Sequence, residues 1–233
     1  YLDSGNEARI KKAYESRDPR LQMAVITPYA QYNGASSGIA HTYTLRWPYR
    51  GSDSAEPFDI RTDTNDKFYY LWRKFVPEGL EQTERDTYGL DIPLIRYAEV
   101  LLLKAEALNE WGSTHESEAI RCVNEVRRRA GHVELNNATY PATKVNGQSD
   151  LRERIRNEYY WEIGGEDSMY FHELRWGTWK DKKFDNNRNG LMQMWGETTY
   201  TWYWLGDQCW SWPIPAKEME MNSNLEQNEG WIN

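Results

Sequence analysis

The chain has 233 residues, a formal net charge of −8 at pH 7, and 39% apolar against 27% charged residues. This length supports an ample core in one large domain or two small ones, and the composition excludes intrinsic disorder. The acidic balance, with a pI near 5.2, argues against nucleic acid and an anionic membrane surface as partners. No apolar run approaches the ~20 residues that a membrane-spanning helix needs.

The first residue is Tyr1 and no signal peptide is visible, so the expectation is a processed or truncated piece. The middle of the chain is strongly helical in pattern and both flanks are not. Segment 36–76 carries short β-branched or aromatic runs broken by Gly, Pro, Asn and Asp. It reads as a long excursion with small strands such as Phe68–Val76. Ile92 to Trp111 is apolar almost all round, with Arg96, Glu99, Glu106 and Glu110 as one narrow polar stripe. That pattern predicts a helix buried on most faces, with Gly112 suited to its C-cap.

Ser113 with Glu116 makes a capping-box pattern for the next helix. It carries Ala119, Ile120, Val123, Val126 and Ala130 at helical spacing and stops at Gly131. The two helices form an antiparallel hairpin of tetratricopeptide-like size. After a polar loop from Asn136 to Gln148, Asp150 and Glu153 open a helix bearing Leu151, Ile155, Tyr159 and Ile163, ended by Gly164–Gly165. A short helix from Asp167 to Trp176 completes two helix pairs stacked side by side. Segment 185–212 is a second long excursion, and loops of such length carry function more often than not.

Candidate chemistry is sparse. Gly34-Ala-Ser-Ser-Gly38 matches G-x-S-x-G, but a nucleophile elbow needs a strand before and a helix after. Residues 39–45 read as extended, so a small-residue loop is expected. Asp185-Asn-Asn-Arg-Asn-Gly190 copies the first half of a calcium loop, yet the twelfth position is Gly196 rather than a bidentate Glu. An Asn/Gly turn is expected there, with a weak calcium site as the minor alternative. Cys122 and Cys209 have neither CxxC nor zinc spacing, Cys122 reads as core, and a disulfide between them stays open. The histidines form no His-Glu-x-x-His helix, His172 reads as packed, and no carboxylate stands in a distinctive context for glycoside hydrolysis. No catalytic residue, cofactor or metal is assigned.

Aromatic content is the feature that asks for an explanation. Twelve tryptophans and sixteen tyrosines sit in a chain of mean hydropathy −0.90. Five of the tryptophans fall between Trp195 and Trp212. Rings combine large contact area with few rotors and, in Tyr and Trp, a polar handle, which suits the C–H faces and hydroxyls of sugars. Burial against the helices is the alternative for each ring.

Four groups of stretches follow one another along the chain. They are Ser16–Leu21 with Trp72–Phe75; Leu94–Asn109; Ala119–Ala130 leading to Ile155–Glu158 and Glu173–Gly177; and Trp212–Pro215 through Glu218 to Asn222 and Asn224–Asn228. In order and spacing they resemble the later portion of the SusD/RagB-like outer-membrane nutrient-binding lipoproteins. The resemblance implies a mainly α fold, with tetratricopeptide-like helix pairs, long irregular excursions and short strands, over 1–233 as a single domain. This would be the C-terminal portion of the family architecture, without its N-terminal helical half or lipidated cysteine. Arg/Glu clusters would pin the helices together, and the Pro-Ile-Pro segment would pack back on the fold. The stretch Trp161–Tyr170 departs from the family's Glu-Gly-x-Arg pattern, which leaves the partners of Glu158 and Glu162 open.

The same resemblance implies binding without catalysis. Family members capture glycan, or peptide in some branches, on the outer face of the outer membrane, and lid a SusC-like TonB-dependent transporter; attachment is through a lipid anchor. A tetratricopeptide-like scaffold for peptide or protein ligands is the alternative. In relatives the ligand meets aromatics on variable loops. The first excursion offers Tyr29, Tyr32, Tyr43, Trp47 and Tyr49 with Arg46 and Arg50; the second offers Trp195, Tyr200, Trp202, Tyr203 and Trp204 with Asp207 and Gln208. In an extended Thr201–Trp204, Trp202 and Trp204 would share one face as a two-ring platform. The nominated ligand residues are Tyr32, Arg46, Trp47, Tyr49, Trp195, Tyr200, Trp202 and Trp204. Trp72, Trp176 and Trp212, within the recurring motifs, and Trp111 and Trp161, on helices, are expected to be architecture.

Overall fold

A computed structural model describes residues 6–36, 38–49, 59–63, 71–79, 89, 91–166, 168–184 and 204–231. The chain is mainly helical and divides into two compact units, Tyr1–Glu166 and Asp167–Asn233.

The first unit opens with two helices, α1 (Asn6–Glu15) and α2 (Pro19–Ala24), in a flank whose pattern gives no helix. The Asp18 carboxylate accepts from Arg20 N at 2.9 Å and Pro19 fills the first turn. So short a helix is set by its cap and by proline's fixed φ, and carries no periodic apolar stripe to betray it. Strand β1 (Val25–Ile26) pairs antiparallel with β5 (Leu71–Trp72). The expected strand to Val76 ends at Trp72, because the backbone turns at Phe75, where φ is 64°.

Strands β2 (Gln31–Ser36) and β3 (Ile39–Tyr49) form an antiparallel hairpin with Ser36 opposite Ile39, and β4 (Asp59–Asp63) joins β3 in parallel. Gly38, at φ 76°, makes the turn. A strand rather than a helix follows the Gly34–Gly38 segment, so it is a hairpin and not a nucleophile elbow. Ile26, Tyr32 and Leu45 form a small core here, flanked by Tyr43, Leu71 and Val76.

Helix α3 runs Tyr97–Trp111, starting after the extended Arg96 (φ −116°, ψ 145°) rather than at Ile92. Gly112 caps it as expected, donating its N–H to the Leu108 carbonyl. The capping box does not form. Ser113–His115 close a 3-10 turn instead, and α4 (Glu116–Arg129) begins after His115 with no side-chain cap. Gly131, at φ 70°, follows its end. Helix α5 (Gln148–Ile163) packs on both α3 and α4.

The core between these helices holds Leu102, Ala105, Val123, Leu151, Ile155, Tyr159 and Ile163, each no more than 1% exposed. Helix α3 departs from expectation on its other side, where Tyr97, Val100, Leu103 and Trp111 are exposed. The polar loop after α4 is organised by asparagines. Asn124 holds Leu135 through both backbone groups, and Asn136 Oδ1 accepts from Val145 N at 2.7 Å.

The second unit contains α6 (Ser168–Arg175), α7 (Trp179–Lys183), a 3-10 turn at Asp207–Trp210 and α8 (Ala216–Met221). Helices α5 and α6, expected to form the second pair, fall in different units. The closing Pro-Ile-Pro segment is pinned inside the second unit. The Gln227 side chain bonds both the N–H and the carbonyl of Ile214, and Asn228 donates to the Trp212 carbonyl at 2.6 Å. His172 is buried, accepts from Arg175 at 3.0 Å and stacks on Trp176, as a packed histidine does. Both cysteines are free thiols, with Cys122 in the core.

Candidate functional site

Acidic residues on one face of α5 organise the first unit. Glu158 and Glu162 are four positions apart, hence one turn apart on one side of the helix, and Glu166 follows just beyond it. Arg127 of α4 donates to Glu158 at 2.7 Å. Arg20 of α2 lies 2.8 Å from the other Glu158 oxygen, as a charge pair without an aligned hydrogen bond, and donates to Glu162 at 3.1 Å. Arg96 donates to Glu162 at 3.0 Å and to Glu166 at 2.7 and 2.8 Å. Lys74 reaches Glu166 at 2.5 Å, and Arg129 bonds Glu162.

The Glu158 and Glu162 side chains are 0% and 2% exposed. Buried carboxylates without cations would be very costly. The sequence left their partners open, and α2, α4 and the segment before α3 supply them.

Electrostatics follow this arrangement. Burial opposes ionisation of Asp18, but the Arg20 guanidinium and backbone outweigh it and hold the carboxyl below its usual range. Burial likewise opposes charge on Glu166, and Arg96 with Lys74 hold it low. His132 lies 3.5 Å from Asp18, yet burial pushes its pKa below the ordinary 6.5 and favours the neutral ring.

For all three groups the unfolded chain takes up protons first as pH falls, so acidification destabilises the fold. The His132 contribution is fully present above pH 6.5 and falls away below it; the two carboxylates add theirs at lower pH, beneath ordinary values of 3.8 and 4.5. Urea midpoints at about pH 7.5, 5.5 and 3.5 are expected to decline stepwise. An unchanged midpoint across the first interval would remove the histidine from this account.

A cleft of about 440 Å³ opens beside this network. Arg20, Arg73, Lys74, Arg96, Glu162 and Glu166 line it, and Arg129, Phe75, Trp161 and Met23 lie along it with more exposure. Phe75 adopts a left-handed backbone, which costs a non-glycine residue of order 1–3 kcal/mol. Lys74 Nζ sits 5.6 Å over its ring, and the Arg127 guanidinium 5.6 Å over that of Trp161. These cations were read from the sequence only as pins between helices. That they also border a cleft depends on elements far apart in the chain.

The nominated aromatics divide. Tyr32 is 4% exposed and its hydroxyl donates to the Pro77 carbonyl at 2.8 Å, so it is a core residue and is removed from the ligand set. The inward face of a strand bordering a small core takes its largest ring. Tyr29, from the same excursion, is also buried, and Tyr43 is half-buried with an edge-on contact to His41. Arg46, Trp47 and Tyr49 have their backbones in β3, and their side chains lie outside the described residues. So do Arg50, Trp195, Tyr200, Trp202, Tyr203 and the Asp185–Gly190 segment.

Trp204 is half-buried and not in a strand. It stands in a ring cluster with Trp179, Phe184 and Trp210 at 5.8, 5.2 and 5.0 Å, and its N–H faces Asp207 at 3.4 Å. Rings expected to be architecture are, in several cases, on the surface: Trp212 is 75% and Trp111 76% exposed, with Trp72 and Trp161 near half. Helix or motif membership says which element a ring belongs to, and not whether a neighbour covers it. Trp176 keeps the structural role, stacked on His172. Among the described residues, no group of His, Cys, Asp and Glu is placed to hold a metal.

The family model described as the SusD family matches residues 2–231. The chain belongs to the SusD family. Among its relatives is a SusD-like protein of Formosa agariphila, 32% identical over 139 residues, which are 59% of this chain and 24% of that protein. Another is the starch-binding protein SusD of Bacteroides thetaiotaomicron, 28% identical over 161 residues, 69% of this chain and 25% of that one. The chain thus spans about a quarter of these SusD relatives.

In three dimensions it resembles a SusD-like protein of Bacteroides fragilis, with a TM-score of 0.61 at 22% identity over 94% of this chain and 40% of that one. A SusD homolog of Bacteroides thetaiotaomicron gives 0.55 at 21% identity, over 96% and 42%. These two share the SusD fold with the chain.

Proposed function

We propose that this chain is part of a cell-surface SusD-type protein that captures an oligosaccharide and delivers it to a TonB-dependent outer-membrane transporter, without a chemical step. The observation that carries the reading is the SusD family match over residues 2–231. The starch-binding name of one relative supports the ligand class. The protein would sit on the outer face of the outer membrane by a lipid anchor; among the described residues no helix is long and apolar enough to cross a membrane.

The ligand contacts we assign to two groups, each within its own unit: Arg46, Trp47 and Tyr49 of β3 in the first, and Trp195, Tyr200, Trp202 and Trp204 in the second. Stacked rings would hold the apolar sugar faces and arginine would hold the hydroxyls. Calorimetric titration with a panel of neutral and acidic oligosaccharides tests this. Trp47→Ala is expected to weaken binding about tenfold, the equivalent of one ring contact of ~1.4 kcal/mol. No binding to any glycan would overturn the function; an affinity unchanged in both Trp47→Ala and Trp202→Ala would overturn the site.

A further inference from the structure

Among the described residues, the ion pairs around the α5 carboxylates join more cations than carboxylates. Arg20, Arg73, Lys74, Arg96, Arg127 and Arg129 are tied by ion pairs to Asp18, Glu78, Glu158, Glu162 and Glu166, so six cations meet five carboxylates. This excess of one positive charge occurs in a chain whose net charge is −8. It borders a cleft of about 440 Å³, within the ~300–1,000 Å³ range of ligand pockets.

The unused donors belong to two residues of that cleft. Arg73 uses Nε on Glu78 and Nη1 on the Gln22 carbonyl, which leaves Nη2. Among the described residues Arg129 makes one bond, to Glu162, and its side chain is 58% exposed. A guanidinium presents five N–H donors in a planar fork that fits carboxylate and sulfate oxygens in pairs. Beside the arginines stand two partly exposed rings, Phe75 at 38% and Trp161 at 45%, and Phe75 is held in a backbone conformation that costs energy.

From the unbalanced charge, the unused donors and the adjacent rings, we infer that this cleft binds an anionic saccharide unit, its carboxylate or sulfate on Arg73 and Arg129 and its ring against Trp161 or Phe75. The inference rests on the glycan-binding reading and adds a contact site within the first unit to the ring groups assigned above. It gives the protein a preference for acidic over neutral glycans. An acidic peptide would satisfy the arginines, but the flat ring faces favour a sugar.

Three probes are titrated calorimetrically: digalacturonate, a sulfated disaccharide and the matching neutral disaccharide. At low salt, one or both anionic probes are expected to bind about tenfold more tightly than the neutral one, with the advantage shrinking at about 0.5 M salt. The two anionic probes distinguish a uronate from a sulfate ester as the group recognised. Arg73→Ala and Arg129→Ala should each reduce that advantage at least about fivefold. Their unfolding midpoints show whether the fold is kept: Glu162 retains Arg20 and Arg96 without Arg129, and Glu78 is partly exposed.

Equal affinity for all three probes, a preference unchanged in both variants, or tighter binding of an acidic dipeptide would overturn the inference. Neutral-glycan binding that is sensitive to Trp47→Ala but not to either arginine variant would leave the glycan-binding reading standing when the cleft fails.

Discussion

Glu158→Ala is expected to lower the unfolding free energy by about 3–5 kcal/mol, seen as a shift in urea midpoint at constant slope. The Glu158 side chain is 0% exposed and is gripped by Arg127, itself 4% exposed, and by Arg20, 10% exposed. Removing the carboxylate takes away the ion-pair partner of the buried Arg127, while Arg20 keeps Asp18 and Glu162, and an uncompensated buried charge costs more than the pair itself contributes. Glu158→Gln keeps the shape and one acceptor while losing the charge, and is expected to fall between wild type and alanine. The exposed Lys104–Glu118 pair is the control, because solvent screens it and its loss should hardly move the midpoint. A Glu158→Ala midpoint close to that of Glu118→Ala would show that the network does not hold the helices together.

Gly165→Ala is expected to cost about 2–4 kcal/mol, from two sources that can be separated. The backbone there has φ 81°, and a Cβ would overlap the edge of the Trp72 six-membered ring at Cζ2. Gly131 has φ 70° but open space around its would-be Cβ. Gly131→Ala therefore isolates the conformational part, and the difference between the two variants measures the clash. Trp72 is 47% exposed, so its ring can swing away and cap the steric contribution. Equal losses in the two variants would mean that the ring yields freely and that the contact does not fix β5 beside the end of α5.

How much was legible in the sequence can be judged from α3 and from the first excursion. The apolar periodicity of α3 and α4 and the Gly112 cap were readable because they are local: side-chain spacing and backbone permissiveness act within a turn or two of the same helix. Helix α2 was missed because its signal is an aspartate cap and a proline, without periodicity. The Ser113 capping box was misread because a short connection closed a 3-10 turn first. In the first excursion, residue type could not separate Tyr32, which fills a core, from its neighbour Tyr43, since burial is a property of what lies opposite.

Family membership and the mainly α character were carried by the sequence itself, through motifs whose order survives along the chain. The Arg and Glu residues of those motifs were also there to be read, and their type announced that they would have to pair if buried. Which carboxylate meets which cation was decided only by the fold. Arg20 and Glu162 are 142 positions apart, and no local rule brings them within hydrogen-bonding distance. Helix packing does so, and among the described residues the same step leaves one cation in excess beside an open cleft. Pairing, burial and charge balance depend on distances in space, and those exist only once the elements have packed.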